Sequence, residues 1–163
     1  MFTLGVLTIS DFGSLGQRND LSGPEIQDFL GRIGFSTRAY DIVPDERDQI
    51  EARLKTWADD DNLDLVVTTG GTGIGPRDVT PEATMQIVNQ LIPGIPELMR
   101  SQTAKKTPTA SLSRSVAGVR GRTLIINLPG SPQGVRECLE VLQDILPHAI
   151  AILTEQITEH RKS

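Results

Sequence analysis

A glycine-rich segment near the middle of the sequence contains the residue types that phosphate chemistry needs. Four glycines lie within the six positions from 70 to 75, and Arg77 and Asp78 follow closely. Glycine lets a backbone approach a ligand and adopt a positive φ, and successive N–H groups can form a nest for an anion. Arg77 could hold a phosphate oxygen, and Asp78 could hold a divalent cation. The alternative is a glycine-rich turn with an internal Arg77–Asp78 pair.

This segment matches neither of the two common phosphate-binding motifs. It has no Gly-Lys-Ser/Thr triplet of a Walker A loop, and it departs from the Gly-x-Gly-x-x-Gly fingerprint of dinucleotide-binding folds. Its function must therefore be inferred from its own residues and from the other loops of the fold.

Three other loops carry small and polar residues at the ends of predicted strands. The first runs from Ser10 to Pro24 and leads into a helix, where free N–H groups favour an anion; a flexible loop with an ordinary N-cap is the alternative. The second holds Asp45, either a ligand-binding acid or a plain N-cap. The third places Gly130 and Ser131 between a strand and a helix, which suits a phosphate but also begins many helices.

The remaining reactive residue types form no clear pattern. Three arginines upstream of the last loop could bind anions or simply be solvated, namely Arg114, Arg120 and Arg122. His148 and His160 have no partner at a catalytic spacing, so we do not expect them in an active site. Cys138 lies on an apolar helical stripe and is expected in the core rather than as a nucleophile.

The hydrophobic pattern that must position these loops alternates between two periods. Short apolar runs such as 4–9 are typical of strands covered on both faces, and stripes at i, i+3, i+4 and i+7 are typical of helices. Strands are predicted at 4–9, 35–43, 65–68, 116–120 and 122–128. Helices are predicted at 22–33, at 50–57, from Thr80, at 95–105, from Ser131 and at 149–157. Ser22, Thr80 and Ser131 are expected as N-caps, and Pro147 is expected to end or kink its helix.

Strands that alternate with helices indicate an α/β fold, a three-layer sandwich with a mostly parallel sheet and helices on both faces. In such sheets, ligands bind beyond the carboxyl ends of the strands. The polar loops all follow predicted strands, so this edge of the sheet is where we expect the site.

Composition narrows the class of protein. The 163 residues are 37% hydrophobic and 23% charged, which fits one globular domain over 1–163 and excludes a disordered tail protein. A net charge of −5 argues against nucleic acid as a partner, and one cysteine excludes a disulfide framework. The longest run without a charged residue has 14 residues, short of the ~20 that span a bilayer. With no signal peptide visible, we expect a cytoplasmic protein without a membrane partner.

Five motifs together resemble the MoaB/Mog family of molybdenum cofactor biosynthesis proteins. The segment 68–83 is similar to the family signature. The other matches are Ser10-Asp11 with Asp20 and Ser22-Gly23-Pro24, then Pro44-Asp45-Glu46, Ser113-Arg114 and Leu128-Pro129-Gly130-Ser131. The five matches cover nearly the whole chain. Their order and spacing argue strongly against a resemblance by chance.

The resemblance implies a MoaB/Mog-like fold and adenylyl transfer: molybdopterin and ATP give adenylylated molybdopterin and pyrophosphate, with Mg²⁺. By position, Asp45 and Asp78 match the two essential carboxylates, which we assign to Mg²⁺ and ligand positioning. The implied binding residues are Ser10, Asp11, Ser22, Gly23, Gly70, Gly71, Thr72, Gly73, Arg77, Ser113, Arg114, Pro129, Gly130 and Ser131.

The resemblance also bears on assembly and leaves a second function open. Relatives form trimers, sometimes paired into hexamers, so a homotrimer is expected, with 149–157 and 92–99 as candidate apolar contact surfaces. Other enzymes of the cofactor pathway are expected as further partners. Because the family includes domains of scaffold proteins, a non-catalytic molybdopterin-binding or scaffold module is the alternative.

Overall fold

A single mixed sheet organises the part of the chain that the computed structural model describes, residues 1–155. Its strands are β1 (Phe2–Ile9), β2 (Phe35–Val43), β3 (Leu65–Thr69), β4 (Gln90–Leu91), β5 (Ala117–Arg120) and β6 (Thr123–Leu128), in the spatial order β2-β1-β3-β6-β5-β4. β2, β1, β3 and β6 are parallel neighbours, whereas β5 pairs antiparallel with β6, and β4 pairs antiparallel with β5 at the edge of the sheet. The predicted mostly parallel sheet is confirmed; the two-residue β4 is too short to give a hydrophobic pattern and was not predicted.

Helices cover both faces of this sheet. They are α1 (Asp11–Ser14), α2 (Ser22–Arg32), α3 (Arg47–Lys55), α4 (Thr80–Ile87), α5 (Gly94–Thr103), α6 (Pro132–Leu142) and α7 (Leu146–Leu153), with a π-helical turn at Thr56–Asp60 and a 3₁₀ turn at Pro108–Leu112. The prediction that Pro147 ends or kinks its helix is wrong, since α6 already ends at Leu142. Pro147 lies in the first turn of α7, where the missing N–H is not needed, so this helix begins before its predicted start. The predicted continuation to Ile157, and His160, lie outside the described residues.

Two hydrophobic clusters lie on opposite faces of the sheet, because successive strand residues point to opposite sides. In β1, Leu4 and Val6 pack towards α2, α5, α6 and α7, whereas Leu7 and Ile9 pack towards α3 and α4. Cys138 belongs to the first cluster, as predicted, and burial raises the pKa of its thiol to about 12. In residues 1–155 no helix is both long and apolar enough to cross a membrane.

Two predicted N-caps are wrong, and the difference matters for the site. Ser22 and Thr80 are the first residues of α2 and α4 rather than their caps. The hydroxyl of Ser22 donates to the carbonyl of Gly130 at 2.6 Å, and that of Thr80 donates to the carbonyl of Gly70 at 2.9 Å. Both hydroxyls therefore join neighbouring loops. Ser131 does cap α6, accepting from the N–H of Gly134 at 3.0 Å.

Candidate functional site

The loops that follow β1, β2, β3 and β6 meet at the carboxyl edge of the sheet. The N–H of Ser10 donates to Val43 O at 2.9 Å, which joins the first two loops. The hydroxyl of Thr69 donates to Pro129 O at 2.6 Å, which joins the last two. Together with the Ser22–Gly130 contact, these bonds fix the four predicted loops against one another.

Asp11 and Asp45 hold each other across the first two loops. The N–H of Asp11 donates to Asp45 Oδ2, and the N–H of Asp45 donates to Asp11 Oδ1, each at 3.0 Å. Glu46, not Asp45, occupies the N-cap position of α3, and its side chain makes no capping bond. The plain N-cap interpretation of Asp45 is therefore wrong: its carboxylate faces the neighbouring loop.

The two carboxylates have opposite pKa shifts. The hydrogen bond from Arg77 lowers the pKa of Asp11, with further help from the Asp45 backbone N–H. Burial raises the pKa of Asp45, as do the negative charges of Asp11 and Asp78, against the opposing effect of the Asp11 N–H. The negative charges of Asp11 and Asp78 therefore act on Asp45 and disfavour its ionised form.

Arg77 is engaged by carboxylates of the first two loops. Its Nε and Nη2 donate to the two oxygens of Asp11 at 3.1 Å each, and Nη2 also donates to Glu46 at 2.8 Å. The alternative of an Arg77–Asp78 pair is therefore wrong. A phosphate that approached this guanidinium would have to compete with both acids.

Asp78 lies against the glycine-rich loop. Its Oδ2 accepts from the N–H of Gly75 at 2.9 Å. A Cβ at Gly73 would lie 2.9 Å from that same oxygen, so a side chain there would push the carboxylate away. On the other side, a Cβ at Gly71 would lie 3.0 Å from Asp45 Oδ1. The loop thus separates the two aspartates and contacts both.

Arg114 forms hydrogen bonds with the backbone of this loop. Its Nε donates to Gly73 O at 2.7 Å and its Nη2 to Asp78 O at 2.9 Å, while its own backbone N–H donates to Thr72 O at 2.8 Å. Nη1 pairs with Glu82. The pKa of Glu82 is lowered, since the hydrogen bonds from Arg114 and from a backbone N–H outweigh the opposing effect of burial. Arg114 therefore holds the loop backbone, and the ligand-binding role that the resemblance implies for it stays a prediction.

A cavity of about 480 Å³ opens beside the loop. It is lined by Gly71, Thr72, Gly73, Asp78, Met99, Arg100, Thr103, Thr107, Thr109, Ala110, Leu112, Ser113, Ser115, Pro129, Gly130, Ser131, Gln133, Gly134, Glu137 and Cys138. The predicted residues Gly71, Thr72, Gly73, Asp78, Ser113 and 129–131 therefore share one cavity, whereas Gly70 and Arg77 do not line it. Arg100 and Glu137 were not predicted, although Glu137 is within two helical turns of Ser131 on the same helix.

A second cavity of about 190 Å³ adjoins the first, and Gly130 lines both. It contains Ser10, Ser22 and Gly70 from the predicted set. Asp20 lines it and accepts from the hydroxyls of Thr8 and Tyr40 and from the N–H of Gly23.

Tyr40 was not predicted, since it lies in the middle of β2, far along the chain from Asp20. Burial raises its pKa to about 12, with the Asp20 hydrogen bond adding to the shift. The phenol therefore remains a hydrogen-bond donor to Asp20 at neutral pH.

Two of the arginines considered in the sequence lie away from both cavities. Arg120 pairs with Asp59 and donates to Ile87 O, and Arg122 donates to Leu153 O. His148 lines neither cavity. Arg120 and Arg122 therefore bond to groups of the protein itself, and neither lines one of the two cavities, where it could bind an anionic ligand.

Known proteins resemble the chain in sequence and in fold. The family model MoCF_biosynth, described as "Probable molybdopterin binding domain", matches residues 5–148. A molybdopterin adenylyltransferase of Helicobacter pylori is 47% identical over 152 residues, covering 92% of this chain and 86% of the relative. The molybdenum cofactor synthesis protein cinnamon of Drosophila melanogaster is 41% identical over 162 residues, which are 99% of this chain but 27% of that protein. The solved structure of MoaB, a molybdopterin biosynthesis enzyme from Thermus thermophilus, has a TM-score of 0.91 and 52% identity, covering 95% of this chain and 98% of MoaB.

Proposed function

The chain belongs to the MoCF_biosynth family of probable molybdopterin binding domains, and from that membership we propose that it is a molybdopterin adenylyltransferase. It transfers AMP from ATP to the terminal phosphate of molybdopterin and releases pyrophosphate. Relatives of 39–47% identity bear this enzyme's name. The reaction places the chain in molybdenum cofactor biosynthesis.

The observation that carries the proposal is the position of two carboxylates on either side of one glycine loop. Asp45 and Asp78 flank the loop, and the negative charge of Asp78 adds to the effect of burial, which is the main cause of the raised pKa of Asp45. Gly71, Gly73 and Asp78 also line the large cavity. A substrate phosphate at the loop would therefore lie next to Asp78, while Asp45, which lines neither cavity, lies beside Gly71.

The chemistry requires little proton transfer. An oxygen of the pterin phosphate attacks the α-phosphorus of ATP, a new P–O bond forms, and the bond to the β-phosphate bridging oxygen breaks. The electron pair of that bond leaves with pyrophosphate. A phosphate nucleophile is already ionised at neutral pH, so the residues of the site mainly have to position the reactants and offset charge.

The side chains present fit Mg²⁺. Within residues 1–155 no group of three His, Cys, Asp or Glu side chains is arranged as a metal site, but Mg²⁺ commonly uses one or two carboxylates together with substrate phosphates and water. Asp45 and Asp78 would hold it, and it would offset the negative charges of Asp11 and Asp78, which add to the effect of burial in raising the pKa of Asp45. Bound there, the ion would offset charge on the transferring phosphoryl group.

A non-catalytic pterin-binding or scaffold module is the alternative, and no observation favours it over the enzyme. The discriminating experiment is incubation with molybdopterin, ATP and Mg²⁺, followed by chromatography of the pterin and assay of pyrophosphate. The enzyme gives adenylylated molybdopterin and pyrophosphate in equal amounts. A chain that binds molybdopterin tightly but forms neither product is a binding module.

We also propose that the chain is a cytoplasmic homotrimer that exchanges the pterin with other enzymes of the pathway. The surfaces expected for trimer contact have to be revised, because Ile95, Met99 and Ile150 are buried in the chain's own core. Ile152 is an exposed apolar residue of the described part of those regions, and the exposed Leu91 lies just before 92–99. Sedimentation equilibrium at micromolar concentration should give a mass near three times 17.7 kDa; a species of the single-chain mass alone would contradict the trimer.

A further inference from the structure

One carboxylate on the helical wall of the large cavity has no role in the proposed reaction. Glu137 lies on α6, is half-buried, and lines the cavity next to Cys138. Gln133, one helical turn earlier, donates to Glu137 Oε1 at 3.2 Å. The charged neighbours on the helix pair elsewhere, Arg136 with Glu25 and Glu140 with Lys106. Within the described chain, Glu137 is thus an acid without an ion-pair partner at the cavity wall.

The position of Glu137 along α6 shows how far this carboxylate lies from the glycine loop. The beginning of α6 lies beside the glycine loop, since a Cβ at Gly130 would be 3.4 Å from Gly70 Cα. Ser131 caps the helix there and also lines the cavity. With a rise of 1.5 Å per residue, Glu137 lies roughly 9 Å further along the helix axis. The cavity therefore has a phosphate-suited end at the loop and an acidic group at some distance from it.

The cavity between these two groups is lined by both apolar and polar residues. Met99, Leu112 and Cys138 contribute apolar surface, while Thr103, Thr107 and Ser115 contribute hydroxyl groups. Ligand sites of this kind combine apolar walls with a few polar groups that fix orientation. A carboxylate is the acceptor that best matches two parallel N–H donors.

We propose that Glu137 binds the 2-amino-4-oxo edge of the pterin and so selects pterins over pteridines without the amino group. This edge presents the amino group and the adjacent ring N–H side by side, as a guanidinium does. The opposite end of the substrate, which carries the phosphate, then lies at Ser131 and the glycine loop. The inference rests on the proposed function, since it names how that substrate is recognised.

The test compares two ligands that differ only in the group facing Glu137. These are 6-hydroxymethylpterin monophosphate and its 2,4-dioxo (lumazine) counterpart, in which an acceptor replaces the amino donor. Both are titrated by fluorescence into the full chain, Glu137→Gln and Glu137→Asp. Glu140→Gln is the matched control, because Glu140 lies on the same helix, pairs with Lys106, and does not line the cavity.

Wild type and Glu140→Gln should bind the pterin phosphate at least ~10-fold more tightly than the lumazine phosphate, the scale expected for hydrogen bonds to a charged group. Glu137→Gln should reduce that ratio to below ~3-fold by losing pterin affinity, and Glu137→Asp should fall between. A wild-type chain without preference, or a Glu137→Gln variant that keeps it, would overturn the inference and leave the proposed function standing. Binding of neither ligand by the wild type would instead contradict the proposed function.

Discussion

Asp11 and Asp45 each accept the backbone N–H of the other at 3.0 Å, so the position of either carboxylate depends on the other. The pair joins the loops after β1 and β2, whose last residues, Ile9 and Val43, are register partners. Arg77 extends the link to the glycine loop, since it donates to both oxygens of Asp11. Asp45 is thus positioned by a series of contacts that runs from Arg77 through Asp11.

Asp11→Asn tests this chain of contacts. The single oxygen of Asn cannot accept from Arg77 and from the Asp45 N–H as the carboxylate does, so Asp45 should lose its fixed position. We expect kcat for adenylyl transfer to fall at least ~10-fold, with KM for either substrate changed less than ~3-fold. Stability should change little, because exposed ion pairs contribute only ~0–1 kcal/mol.

Steady-state kinetics with a matched control decides the point. Glu46→Gln removes the other partner of Arg77 but leaves the Asp11–Asp45 contact in place, and its kcat should stay close to that of the wild type. Equal losses in both variants would mean that Arg77, rather than the Asp11–Asp45 pair, matters for turnover.

Asp45→Asn and Asp78→Asn test the two carboxylates themselves. Asn preserves shape and removes the charge that would hold Mg²⁺ and orient the phosphates. Each variant should keep its melting temperature within a few degrees, yet lose at least ~100-fold in transfer rate, roughly 2.7 kcal/mol of transition-state stabilisation. The loss should grow at low Mg²⁺. Asp28→Asn, which alters only an exposed pair with Arg32, is the control. Wild-type turnover in both site variants would contradict the role assigned to the two carboxylates.

The raised pKa of Asp45 predicts a pH-dependent difference in stability. A carboxyl group whose pKa is raised by folding contributes stability below its ordinary value of 3.8, and that contribution is lost as the pH rises through the folded pKa. The ionised Asp45 therefore destabilises the fold at neutral pH, and Asp45→Asn removes that effect. Thermal unfolding from pH 8 to pH 4 should show the variant more stable at high pH, with the difference shrinking as pH falls. A difference that grows towards low pH would contradict the assigned direction.

Gly71→Ala should destabilise the fold, unlike Gly31→Ala. Gly71 has a φ of 69°, and a Cβ there would lie 2.4 Å from Thr80 Oγ1. Gly31 lies within α2, where a Cβ would meet no atom within 4 Å. We expect a loss of more than about 1 kcal/mol for Gly71→Ala and a gain of about 0.5–1 kcal/mol for Gly31→Ala, both measured by urea denaturation. Equal stabilities would show that the loop tolerates a side chain at position 71.

The sequence predicted the features that depend on local patterns. Apolar runs and stripes located the parallel strands and the main helices, and the carboxyl-edge rule brought Ser10, Asp45, Gly70 and Ser131 to one edge. The motifs that follow the strands carried the family resemblance as well.

The partners of individual side chains could not be predicted in this way. Arg77 contacts Asp11 across 66 positions, and Arg114 contacts Gly73 across 41, so neither contact leaves a local pattern. Ser22 and Thr80 looked like N-caps, because the hydroxyl bonds that they make to other loops depend on tertiary structure. Glu137 carries no local signal in the sequence, because the cavity that it lines is formed by residues from distant parts of the chain.

The most direct measurement of the central claim is the fate of the ATP phosphates. ATP labelled with ³²P at the α or the γ position is incubated with molybdopterin, Mg²⁺ and the wild-type chain, and the pterin and pyrophosphate are separated. Adenylyl transfer predicts that α label appears in the pterin product and γ label in pyrophosphate, with Asp45→Asn and Asp78→Asn slowing both together. Label in neither product, or γ label in the pterin, would contradict the account.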